Sequence, residues 1–410
     1  MTNLPHAPSD HPNIPTEKVG VLLANLGTPD NYDYWSMRRY LNEFLSDRRV
    51  IDYSPWFWQP LLQLIILTTR PSKSGAAYKS IWNHEAGESP LATITKQQTS
   101  KIKTAMQDRY GGQVVVDYCM RYGNPSTEER LQGLIDAGCR KILFFPLYPH
   151  YAGATSATAN DQFFRALMKQ KWQPTARVVD PYFSDPQYID ALAQSVERAY
   201  ADLDKKPDVL VCSYHGLPKR YLQEGDPYHC QCVKTTRLLK ERLGWADSEI
   251  ISTFQSKFGP EEWLQPYTVE EVARLAESGK KKIAVCAPAF SADCIETLEE
   301  INEEIRDSFV EAGGERGRRG SVVASLAGPR SPVRPGPMAN LDGRFVPNGP
   351  PRSDEPPHQV DVLAEAKLRV EATELLERGR SDDERSGRCV GDRPARAHRR
   401  RARPEVERRE

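Results

Sequence analysis

Two stretches of the chain carry side chains suited to moving protons or holding a metal. "VLVCSYHGLPKRY" (209–221) is an apolar run that ends on His215, with Gly216 and Pro218 close behind it. An imidazole titrates near neutrality and offers a ring nitrogen to borderline metal ions. "CAPAFSADCIETLEE" (286–300) closes another apolar run and places Glu296 in the first turn of a long helical stretch. Taken singly, each residue has an ordinary explanation. His215 reads as a hydrogen-bonded turn or core histidine, and Glu296 as a carboxylate favoured by a helix N-terminus. Taken together, both lie just past the C-terminal ends of strands, the edge at which open α/β sheets bind ligands. An imidazole and a carboxylate on one rim shuttle protons or hold a divalent ion briefly. Two ligands fall short of the four that close a structural metal site.

Other candidate motifs are weaker. "LLANLGTPDN" (22–31) has one glycine after a strand, where a dinucleotide fingerprint needs three, and no phosphate-loop pattern occurs. Use of NAD or ATP is therefore not expected. "DPYHCQC" (226–232) offers His229, Cys230 and Cys232, but a C-x-C without a second pair is a poor zinc or iron–sulfur signal.

The elements that must position His215 and Glu296 follow from the apolar pattern. Runs at 19–25, 114–120, 142–146, 209–213, 249–254 and 283–288 lack polar alternation, as expected of parallel strands covered on both faces. Amphipathic stretches such as 125–138 and 292–314 fall between them, and the latter ends in Gly-Gly. Strand–helix–strand repetition predicts an α/β fold of two Rossmann-like, doubly wound domains with parallel sheets and a cleft between them. The expected division is a lead-in over 1–17, a first domain over 18–160 and a second over 161–315 that carries the metal site. One segment breaks the pattern: "SPWFWQPLLQLIILTTRPSK" (54–73) sets Trp56, Phe57 and Trp58 beside Leu61 and further aliphatics. It reads either as a core helix or as an apolar lip, partly exposed, that receives a hydrophobic ligand or rests on a membrane face.

The chain has 410 residues and a formal net charge of zero, which gives no reason to expect a nucleic-acid partner. It has no apolar run of membrane-spanning length and no secretory leader, so a cytoplasmic setting with reduced thiols is expected. The totals conceal a break at residue 315. Residues 1–315 hold 18 Lys and 17 Arg, whereas 316–410 hold one Lys and 20 Arg, with 11 Pro and a single aromatic, Phe345. Such a composition buries little apolar surface. The tail is expected to be disordered or the product of an out-of-frame reading, and its one amphipathic patch, 360–379, to form at most a lone helix.

Several of these stretches together resemble the ferrochelatase family. They are SYHGLPKRY, GDPYHCQC, FQSKFGPEEWLQP (254–266), AFSADCIETLEEI, LLANLGTPD, MRYGNPSTEE (120–129) and LYPHYAGATSAT (147–158), in the family's order over about residues 18–314. The resemblance implies a chelatase-like fold, with Fe2+ and protoporphyrin IX as substrates and no resident cofactor. It implies His215 as the metal-binding, proton-accepting histidine and Glu296 as its partner. It also implies Arg121, Tyr122, Tyr151, Trp56 and Leu61 at the porphyrin cleft, with 54–73 as its lip and peripheral membrane contact there. Some members hold a [2Fe–2S] cluster on C-terminal cysteines. The only cysteine beyond Cys294 here is Cys389, so no such cluster is expected. A coproporphyrin or sirohydrochlorin chelatase, or a non-catalytic porphyrin-binding homologue, is the alternative.

Overall fold

Each apolar run becomes a strand, and the amphipathic stretches become helices laid over the sheet faces. The computed structural model describes residues 17–315, apart from Asp202 and Asp204, together with Leu368, Ala372 and Thr373. In chain order the described elements begin with β1 (Lys18–Thr28), α1 (Tyr34–Leu45) and α2 (Pro55–Leu61). A wide turn over Leu62–Ile66 leads into α3 (Leu67–Ile81), then α4 (Pro90–Tyr110), β2 (Val114–Gly123), α5 (Thr127–Asp136) and β3 (Cys139–Pro146). A second wide turn, Gly153–Ala157, opens α6 (Thr158–Met168), which is followed by β4 (Thr175–Val178) and α7 (Pro186–Ala201). The remainder is β5 (Val209–His215), α8 (Lys219–Gln223), α9 (Tyr228–Leu243), β6 (Ile250–Gln255), α10 (Thr268–Glu277) and β7 (Ile283–Cys286). A wide helix over Glu296–Ile305 then runs into α11 (Arg306–Glu311).

These strands form two parallel sheets, ordered β2-β1-β3-β4 and β6-β5-β7. The expected α/β architecture with parallel sheets is present. One strand is additional: β4 is not among the six apolar runs expected as strands. It has four residues, three of them exposed, so it lacks the apolar run that marks the others.

In the second sheet β5 is central, with β6 on one side and β7 on the other. Its C-terminal residue, His215, is therefore at the switch point where ligands gather. Side chains of both sheets join one apolar cluster, which includes Val21, Leu23 and Phe145 with Leu210, Cys212, Tyr214 and Phe254. The rim of the first sheet is held by a close backbone approach. At Gly27 (φ 110°) an added Cβ would lie 1.8 Å from the Tyr122 carbonyl oxygen, so only glycine lets β1 and β2 run together there.

Most of the tail, with Cys389 and the division expected at 316–410, lies outside the described residues. Three tail positions are described, and they are not isolated. Leu368 and Ala372 are fully buried in the cluster shared by the two sheets, and the Thr373 hydroxyl lies 2.7 Å from that of Tyr110 at the end of α4.

Candidate active site

His215 ends β5 because the chain must turn at once. The Gly216 N–H continues the ladder with a 2.8 Å bond to the Gln255 carbonyl. A Cβ at Gly216 would stand 2.8 Å from that oxygen and 3.0 Å from the Trp263 ring. Glycine is thus what lets the residue after the histidine lie against β6. The half-buried imidazole places Nδ1 2.7 Å from the Gly216 carbonyl oxygen. With Nδ1–H donating there, Nε2 is left with its lone pair, as a base or a metal ligand requires.

Glu296 opens the wide helix that follows β7. Helices with i→i+5 bonding are rare and recur at functional sites. The carboxylate is half-buried and comes close enough to Tyr40 and Tyr78 to add to the burial that raises both phenols' pKa values. Those tyrosines belong to α1 and α3, so Glu296 faces the lip helices across the rim. One turn on, Glu300 accepts from Gln255 Nε2 at 3.1 Å and Ser256 Oγ at 2.5 Å. Burial raises the Glu300 pKa, while Ser256, the nearby His215 and Gln255 act in the opposite direction. His215, Glu300 and Glu296 therefore share one rim. Sequence reasoning had no hold on Glu300, which is one of five glutamates between 296 and 304. Gln255 pairs with His215 in the register of β5 and β6, a neighbourhood that only the folded sheet reveals.

The lip is helical throughout. Pro71 has no N–H for the Leu67 carbonyl, which instead accepts from Tyr34 Oη at 3.1 Å and from Arg38. Its inner face packs Leu62 and Leu67 on Met37, Tyr40 and Leu41. Its outer face shows Trp56 (92% exposed), Phe57, Leu64 and Ile65. Trp58 departs from the expected lip exposure. It is only 6% exposed and donates Nε1–H to the Leu45 carbonyl at 2.7 Å, because its ring faces α1 while Trp56 points away. Leu61 is half-buried at the margin of the inner cluster.

Arg121 and Tyr122 lie inside the base of the lip. The guanidinium pairs with Asp47 and lies 2.6 Å from Thr158 Oγ1, and the Tyr122 hydroxyl donates to Asp47 at 2.9 Å. Burial opposes ionisation of Asp47, but bonds from Thr158, the Arg49 N–H and Tyr122, with the Arg121 charge, hold its pKa below the ordinary value. Tyr151 is half-buried, its backbone N–H bonded to Gln231 Oε1 at 2.7 Å. Arg220 of α8 ties the lip to the second sheet, pairing with Asp52 before α2 and with Glu261, 2.6 Å away.

Among the described residues no group of three or more His, Cys, Asp or Glu is placed to hold a metal ion. No described helix is long and apolar enough to cross a membrane.

The chain matches the family model described as ferrochelatase over residues 18–325, eleven residues beyond the stretch expected from its motifs. It is 71% identical over 313 residues to a ferrochelatase of Rhodobacter capsulatus, covering 76% of this chain and 89% of that protein. It is 57% identical over 311 residues to a ferrochelatase of Allorhizobium ampelinum, covering 76% and 90%. A solved structure, SirB from Bacillus subtilis with Fe3+, aligns with 72% of this chain and 84% of its own at 12% identity and a TM-score of 0.41, too distant to bear on the site.

Proposed function

Because the chain belongs to the ferrochelatase family, we propose that it carries out that family's reaction through His215 and Glu296. The chain inserts ferrous iron into protoporphyrin IX, with release of two protons, to give protohaem. Two pyrrole N–H protons must leave and the metal must shed water. The free Nε2 of His215 suits the first task, because with Nδ1–H engaged by the Gly216 carbonyl its lone pair is available to accept a proton. Imidazole with carboxylate suits the second, holding Fe2+ loosely enough to release it. The observation that carries this reading is the placement of His215 at the end of the central strand, on the same rim as Glu296 and Glu300.

Porphyrin binding rests on the apolar lip, with Trp56, Leu61 and Tyr151 as contacts and Arg121 and Tyr122 fixing the wall through Asp47. Iron is substrate, and no resident cofactor is required. The exposed lip face supports peripheral contact with the cytoplasmic face of a membrane, where an oily substrate and product partition. The test is anaerobic metal insertion by His215→Ala. Porphyrin binding should persist while insertion falls by at least about a hundredfold, the usual worth of a positioned base. Insertion by this variant at the wild-type rate would overturn the assignment. Glu296→Gln should also slow turnover, by less if it acts from behind the metal.

A further inference from the structure

The side chain of Gln255 is 3% exposed, yet all its polar atoms are used. Its Oε1 accepts from Ser213 Oγ at 2.6 Å. Its Nε2 donates to the Glu296 carbonyl at 3.0 Å and to Glu300 Oε2 at 3.1 Å. Both partners of Nε2 are pure acceptors, whereas a hydroxyl serves either way, so only this amide orientation satisfies every group. The amide is held from behind as well. Ser213 Oγ lies 2.9 Å from Thr268 Oγ1, which lies 2.9 Å from Thr253 Oγ1, a buried row of hydroxyls across β5, β6 and the start of α10. Ahead of it, Ser256 takes a left-handed backbone (φ 65°) that sends its hydroxyl to the same Glu300 oxygen. For a residue other than glycine such a conformation is uncommon and marks a place where the surroundings dictate the backbone.

We propose that Gln255 is a positioning residue for metal insertion, clamping the first turn of the wide helix so that Glu296 and Glu300 face His215. The clamp is two-pronged. One bond fixes the backbone at Glu296, the other fixes the carboxylate one turn later, and the Ser213 hydroxyl keeps the amide from turning over. This rests on the reading of His215 and Glu296 given above. Side chains that orient metal-handling groups typically contribute ten- to hundredfold when removed.

The test uses the full chain with Fe2+ and protoporphyrin under anaerobic conditions. Gln255→Met, matched in length but without donors, should lower kcat/KM for Fe2+ about ten- to hundredfold and leave the porphyrin Kd within about twofold. Gln255→Glu keeps the acceptor for Ser213 but sets a carboxylate against Glu300, and should do no better. Ser213→Ala should give a smaller loss, and in the Gln255→Met background should add nothing, since one clamp is broken only once. A role confined to packing predicts instead additive losses of thermal stability with kcat/KM for Fe2+ preserved. A folded Gln255→Met with kcat/KM within threefold of wild type overturns the proposal. If that variant does not fold, Ser213→Ala decides, and unchanged kcat/KM in it is the same negative result. His215→Ala measured alongside separates the failures: an active His215→Ala refutes the site itself, whereas an inactive one beside a fully active Gln255→Met refutes only the clamp.

Discussion

His150 is a buried imidazole, and its hydrogen bonds fix its tautomer. Thr235 Oγ1 spends its proton on the Phe183 carbonyl at 2.7 Å, so His150 Nε2, 2.8 Å from that oxygen, is the donor. Nδ1 has no partner within a wall of Phe183, Tyr188, Tyr214 and Tyr228. Burial drives the imidazole pKa down to about 3. An unfolded chain takes up a proton here below about pH 6.5 while the native chain does not. Stability contributed by this group is therefore present above pH 6.5 and is lost as pH falls toward 3, by about 1.4 kcal/mol per unit within that window. Denaturant titrations at pH 7 and pH 5 should show the slope, and His150→Phe should remove most of it. "LYPHYAG" gave no hint that His150 would be an inert core ring and His215 an open one. Both follow apolar runs, and the ring wall that α7, β5 and α9 close around the first is a tertiary feature. His215 was legible for a physical reason, since glycine and proline after a buried strand require a turn at the ligand-binding edge. Gln255 and Glu300 were not, because their roles depend on which strands become neighbours.

Strands were more legible than helices. Short β-branched apolar runs bounded by turn residues read as strands covered on both faces, and their centres stand where the pattern put them, whereas the longer greasy run of the lip is helical. The wide geometry of Glu296–Ile305 had no such signature, because apolar residues at 295, 298, 301 and 305 fit an ordinary helix equally well. The turn after β5 can be tested through Gly216. In Gly216→Ala the new methyl must push the Gln255 carbonyl or the Trp263 ring aside. A displacement approaching 1 Å beside the reacting groups costs about a hundredfold, so kcat should fall by at least about tenfold while porphyrin binding changes little. The lip makes a separate prediction. Trp56→Ser with Phe57→Ser removes exposed apolar surface without touching the inner cluster built on Leu62 and Leu67. Sedimentation with anionic vesicles should show at least about a fivefold loss of bound protein, since each interfacial aromatic contributes to such partitioning. Equal binding by both proteins would remove the lip from membrane contact.

Over the whole molecule, one apolar cluster spans both sheets, so the two halves cannot come apart without exposing it. That cluster also includes Leu368 and Ala372, which the sequence offered only as part of an amphipathic patch in a tail of foreign composition, and Thr373 reaches Tyr110 at the end of α4. Leu368→Ala should lower unfolding free energy by about 2–4 kcal/mol, as expected for a fully buried leucine, and Thr373→Val by about 1 kcal/mol. A chain ending at residue 315 should lose at least as much as Leu368→Ala. Unchanged stability on truncation would show that these tail residues contribute nothing to the core. The lip, finally, gives the molecule an optical gauge. Trp56 and Trp58 stand two residues apart, one bathed in water and the other sealed against α1. Iodide should quench the emission of the first and spare that of the second. A porphyrin seated under the lip absorbs strongly where indole emits, so it should dim both by energy transfer over the short distance between them. In a chain whose other five tryptophans are replaced by phenylalanine, dimming of both emissions would report occupancy of the cleft, and loss of iodide quenching at Trp56 alone would report shielding of its rim by a lipid surface.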